Sequence, residues 1–273
     1  MIDLSSSPPR LSSWRKVIKL LPDYFYLSIV RSSEFKFSFY SYLFLYITQI
    51  AFYITFWNLV KPPTIEGWSM EACFLLTGFA TLNIALQEII WATGMIDQMI
   101  LQGDLTVVLV RPENSYFGLV LRRMGAMAVI PAFLGLLVVL ITLIMYFEFH
   151  LLQLALACSL CVLGAVCMRA LMLSVNSLGF KYGRVTALKS FVLSGRDLSR
   201  YPLSLLPSGL KTFLATLFPV LLVSNWPAKL FLLENVVDML VLFVCALLVT
   251  VAWVSFAAYV WRRGLRSYEG QSL

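Results

Sequence analysis

The chain has 273 residues, of which 60% are hydrophobic and 13% charged, with a formal net charge of +7. Soluble domains carry about a quarter charged residues, so this balance excludes an ordinary globular protein and describes a chain embedded in lipid. The basic excess does not indicate nucleic acid, because Lys and Arg come in short clusters between apolar runs and form no continuous stripe. At about 20 residues per crossing, membrane spans consume most of the length, which leaves room for one membrane domain.

Residues 1–38 mix Arg10, Arg15, Lys16, Lys19, Arg31 and Lys36 with Trp14, Val17, Ile18, Leu20, Phe25, Ile29 and Val30. That pattern predicts a cytoplasmic leader followed by a helix lying in the membrane interface, broken at Pro22 and Asp23, with cations toward lipid phosphates. No apolar core follows the first charges, so a cleavable signal peptide is not expected. Residues 39–60 hold no charge over 22 positions and form the first span. Pro62, Pro63 and Gly67 make a short external turn. The second span covers about 70–93, with Glu88 its one charge apart from Glu71 at its end.

A polar loop at 94–123 follows. Met95, Ile96, Met99 and Ile100 fall at helical spacing while Asp97, Gln98 and Gln102 take the other side, which predicts a short amphipathic helix ended by Gly103. Asp104 can cap a second short helix over 105–110 that stops before Pro112. Residues 124–147 are uncharged for 24 positions and form the third span; 148–150 make a tight turn with His150 exposed, and the fourth span runs over about 151–176. The stretch 181–211 is basic and suits an amphipathic helix ahead of Tyr201 and Pro202. A fifth span over about 208–226 is kinked or split at Pro219, which cannot donate a helical hydrogen bond. Residues 239–261 form the sixth.

Six spans place both termini on one side, and the basic residues choose it. The leader, the loops 94–123 and 177–207 with Lys211, and the tail carry 18 Lys and Arg, against Lys61 and Lys229 opposite, with Arg169 set aside. Both termini and both long loops are therefore expected in the cytoplasm, and little outside beyond 226–238. The five cysteines all sit within apolar runs, and Cys158-x-x-Cys161 has no second pair or nearby histidine, so no metal site is expected. There is no HExxH, GxSxG or phosphate-gripping glycine loop, which argues against an enzyme and against ATP hydrolysis by this chain. Glu88 and Arg169 are charges within spans at similar depth; an ion pair between them and separate snorkelling to the interface are both open. Asn83 and Gln87 share one face of the second span, while Thr77, Thr81 and Glu88 share another. Either face could line a substrate path or serve interhelical hydrogen bonding.

Three ordered motifs then resemble one branch of the ABC-2-type exporter permeases. They are ILQGDLTVVLVRPENSY at 100–116; RYPLSLLP at 200–207 with FPV at 218–220 and NWPA at 225–228; and WRRGLRSYE at 261–269. Thr106 departs from the pattern, which commonly has an acidic residue there. The resemblance implies an all-α integral membrane fold of the ABC-2 exporter type: six transmembrane helices over 39–273, an interfacial elbow helix over about 14–38, a cytoplasmic coupling helix over 95–109 and a short external re-entrant segment at 226–237. It further implies pairing with a second permease copy, identical or not, and with two ABC ATPase subunits that bind the ATP and Mg. Met95, Met99, Leu101, Asp104, Leu105 and Arg111 are the coupling residues this reading selects. A bacterial cytoplasmic (inner) membrane is the implied location. An exporter of a hydrophobic or amphiphilic substrate is the leading expectation, and a non-transporting anchor or regulator of a cytoplasmic complex is the alternative.

Overall fold

The computed structural model of the chain describes residues 36–60, 67–89, 96–106, 125–216 and 218–268, together with Pro22, Asp23, Tyr26 and Val30. The expected interfacial helix over 14–38 therefore lies almost wholly outside the described residues, as do Met95, Arg111 and most of the second short helix expected over 105–110.

Among the described residues the chain is all helix and turn. Five helices are long and apolar enough to cross a membrane. These are α1 Lys36–Val60, α2 Met70–Ile89, α4 Val129–Tyr146, α5 Leu151–Ser177 and α10 Val236–Arg266. Between them lie the short α3 Ile96–Gln102, the single turn α6 Gly179–Tyr182 that prolongs α5, α7 Thr186–Asp197, α8 Ser208–Thr216 and α9 Asn225–Lys229. Gly103 takes φ +76° directly after α3, a conformation that stops a helix at little cost for glycine. The turn at 148–150 is as tight as expected, and the His150 N–H donates to Gln153 Oε1 at 3.1 Å to start α5.

The fifth expected crossing does not form as a continuous helix. In place of a fifth span over 208–226, α8 ends at Thr216, Pro219–Leu222 is a 3-10 turn, and α9 and a further 3-10 turn at Leu230–Leu232 carry the chain to α10. Pro219 marks the break because it has no N–H for the ladder. The segment tolerates irregular backbone because it is enclosed: Val220, Leu222, Val223, Ala228 and Leu230 are all fully buried.

α2 is the axis of the bundle, packed by α1, α4, α5 and α9. Small residues let its neighbours close in. A Cβ on Gly135 of α4 would lie 2.6 Å from the Leu82 nitrogen, and one on Gly78 of α2 would lie 2.7 Å from Val139 Cγ2, so the two backbones nearly touch. α10 packs along α5 through Met239, Ala246, Thr250, Ala257, Trp261 and Gly264, a seam with the three-, four- and seven-residue steps of one helix face. α1 is the outer member: only Ile50 and Trp57 of its 25 residues are buried.

Candidate functional site

The end of the bundle that carries α3 is its lower end. There Ile96, Met99, Ile100 and Leu105 join Ala170 and Leu173 of α5 and Ala257 and Trp261 of α10 in one buried cluster, flanked by Phe180, Leu265 and Tyr268. Gly264 allows Phe180 to press against α10, since any Cβ there would collide with its ring. Thr106, where the resemblance leads to the expectation of an acid, meets Tyr268 with hydroxyls 3.2 Å apart. The expected coupling residues thus divide in two. Met99 and Leu105 anchor the helix from inside, while Leu101 and Asp104 are exposed beside Gln98 and Gln102.

Asp97 corrects the sequence reading of α3. It was expected on the polar side with Gln98 and Gln102, yet it is 1% exposed and turns inward. The reason is Lys189 of α7, whose Nζ donates to Asp97 Oδ1 at 2.7 Å. A carboxylate can be buried where a cation answers it, and that cation comes from an element 92 residues away. α3 is therefore tied to α7 as well as to the long helices.

Above this face, α2 carries a buried polar column. Arg169 Nη2 donates to Gln87 Oε1 at 3.2 Å, Gln87 Nε2 to Asn83 Oδ1 at 2.7 Å, and Asn83 Nδ2 to the Cys161 carbonyl at 2.6 Å. Thr77 accepts from Trp57 Nε1 at 3.3 Å and donates to the Cys73 carbonyl; Thr81 donates to the Thr77 carbonyl. Asn83, Gln87, Thr77 and Thr81 are each at most 2% exposed, so within a single chain these side chains are buried in the packing of the bundle. The Glu88–Arg169 pair is not among the contacts of the described residues. Consecutive helical positions point about 100° apart. Gln87 faces α5, and Glu88 turns to α1, where Tyr42 and Tyr46 donate to its carboxylate.

A third feature joins two stretches of one sequence motif, 200–207 and 225–228. From the end of α7 the chain runs through Leu198–Arg200 and Leu203–Leu205 and meets Asn225, whose Oδ1 accepts from the Leu203 N–H at 3.0 Å and whose Nδ2 reaches the carbonyls of Ser199 and Tyr201. Ser224 Oγ also donates to the Ser199 carbonyl. The loop 177–207, expected to lie in the cytoplasm, therefore has its far end against the interior: Tyr201 packs edge-to-face on Tyr53, Phe56 and Trp57 of α1. Tyr42, Tyr46 and Tyr53 share one face of α1 at steps of four and seven, a stripe that helical spacing could have revealed.

Among the described residues the fold is that of an all-helical membrane protein in which one short helix, α3, is packed across two spans at one end. The family model for the ABC-2 family transporter proteins matches residues 43–272, and the chain belongs to that family. It is accordingly a membrane permease of an ABC transporter, the transmembrane component that works with a separate ABC ATPase subunit. No curated protein and no solved structure matches the chain.

Proposed function

We propose that this permease exports a hydrophobic or amphiphilic substrate, driven by two ABC ATPase subunits that hold ATP and Mg and dock on the lower face. The observation that carries the reading is the construction of α3. Its apolar side is sunk among α5, α6 and α10 while Gln98, Leu101, Gln102 and Asp104 remain exposed at the tip. A force on that tip reaches two spans at once, which is what a coupling element between a motor and a rigid bundle requires. Asp104 and Arg111 make charge-assisted contacts to the ATPase, Leu101 and Met95 fill apolar contacts, and Met99 and Leu105 hold the element to the bundle. A second permease copy completes the assembly. The charge asymmetry supports a cytoplasmic lower face and cytoplasmic termini, and the family resemblance supports a bacterial inner membrane as the location.

The test is purification of a tagged chain from its native membrane in mild detergent, followed by mass spectrometry of the intact complex. Two permease chains with two ATPases are expected. A chain that emerges without ATPase, under conditions that preserve other such complexes, favours the anchor reading instead. Arg111→Ala and Asp104→Lys should each cut ATPase capture by about tenfold or more, the size of one charge-assisted contact, with the amount of folded permease unchanged.

A further inference from the structure

Arg200 takes no part in the lower face. It ends the turn Leu198–Arg200, is 6% exposed, and holds its guanidinium carbon 5.4 Å from the centre of the Tyr53 ring. Tyr53 lies seven residues from Tyr46 on one side and seven from Val60, the upper end of α1, on the other, about 10 Å along the axis in each direction. The cation is therefore well inside the length of a membrane-spanning helix. Its Nη1 has no hydrogen-bond partner. The ion pairs of the described residues, Lys189–Asp97 and Arg196–Asp197, leave it out. Two acids in this part of the fold are engaged elsewhere, Glu88 by Tyr42 and Tyr46, and Asp197 by Arg196.

A cation at this depth is costly, and one tyrosine face returns only part of that cost. The walls beside it are aromatic. Tyr53, Phe56 and Tyr201 stand edge to face at centroid distances of 6.1 and 6.2 Å, and Phe52 on the neighbouring flank of α1 is 61% exposed. A buried donor without an acceptor, framed by rings at the seam of the outer helix, suits a ligand with an acid at one end and an apolar tail at the other.

We infer that Arg200, with Tyr53 and Tyr201, forms an anion site for an amphiphile bearing a single carboxylate or phosphate head, admitted between α1 and the turns at 198–206. As an assignment of the substrate head group it rests on the exporter reading above; as a binding site it does not.

The experiment uses the purified complex in nanodiscs of neutral phosphatidylcholine and a fatty acid carrying a photoreactive diazirine near its carboxylate. Labelled peptides from 42–57 and 198–206 are expected, displaced at least about tenfold better by oleate than by oleyl alcohol, which differs only in the charged head. Arg200→Gln should lower labelling by a similar factor, and Arg200→Lys should keep part of it. Displacement by dioleoylphosphatidylglycerol as well as by oleate supports the site with a resident bilayer lipid as occupant; displacement by oleate alone supports it with a single-chain acid. Equal competition by oleyl alcohol, or undiminished labelling of Arg200→Gln, overturns it. If Arg200→Gln is not recovered folded, the oleate against oleyl alcohol comparison on the unaltered protein decides alone. Labelling at this site in a chain that captures no ATPase would sink the exporter reading and leave the anion site standing.

Discussion

Gln87 and Glu88 are neighbours in sequence and strangers in space, one bonded to Arg169 of α5 and the other held by two tyrosines of α1. Between them they fix the rotation of α2 about its own axis. Because Asn83 and Gln87 act in series, removing either leaves the other with an unmet amide in a dry site. Asn83→Ala and Gln87→Ala should each lower stability by about 1 kcal/mol, and the double variant should lose clearly less than the sum. Thermal unfolding of the three variants in detergent measures that coupling, and strict additivity would show that the column does not act as a unit. Gly164 tests close packing at the same scale. A Cβ there would drive into the backbone carbonyl of Leu222, which cannot rotate away. Gly164→Val should therefore destabilise by about 1–3 kcal/mol or prevent recovery, whereas a substitution at exposed Val162 of the same helix should be neutral.

At the scale of elements, the junction of α3 and α7 is the least expected part of the fold. Removing the cation while leaving its buried partner is worse than removing both. Lys189→Met should thus lose about 3 kcal/mol or more, and adding Asp97→Leu should recover part of it, read as a melting temperature that rises from single to double variant. A double variant less stable than the single one would mean that the pair is not what joins the two elements. The apolar periodicity of α3 was legible, as was its end at Gly103, since both are local properties. Asp97 was not, because its burial depends on a lysine that only the folded chain brings to it. Likewise Pro219 announced a break in the fifth expected span, while nothing local announced that the side chains of Ser224 and Asn225 would satisfy the backbone of Ser199, Tyr201 and Leu203. Uncharged runs marked the long helices because a span must satisfy its own backbone; side-chain partners across helices follow no such rule.

For the whole molecule, the packing is graded from a walled-in α2 to a lightly held α1 whose outer face, with Phe37, Phe44, Phe52 and Leu59, meets lipid or another chain. At about 1.5 Å per residue the 31 residues of α10 exceed the hydrocarbon thickness, so Arg262, Arg263 and Arg266 fall beyond it at the lower end. Orientation can then be read directly. In a chain otherwise free of reactive cysteine, Leu101→Cys should react with an impermeant thiol reagent only from the cytoplasmic side and Glu148→Cys only from outside. Reversed labelling would invert the topology. The irregular segment from Leu198 to Leu232 has a further consequence in time. Outside α8 its amide protons are held by short turns and, at Leu203, by the Asn225 side chain in place of a long cooperative ladder, so in deuterated water they should exchange well before those of α2. The interior of this bundle thus contains its own slack, a stretch that can be reshaped while the helices around it keep their hydrogen bonds.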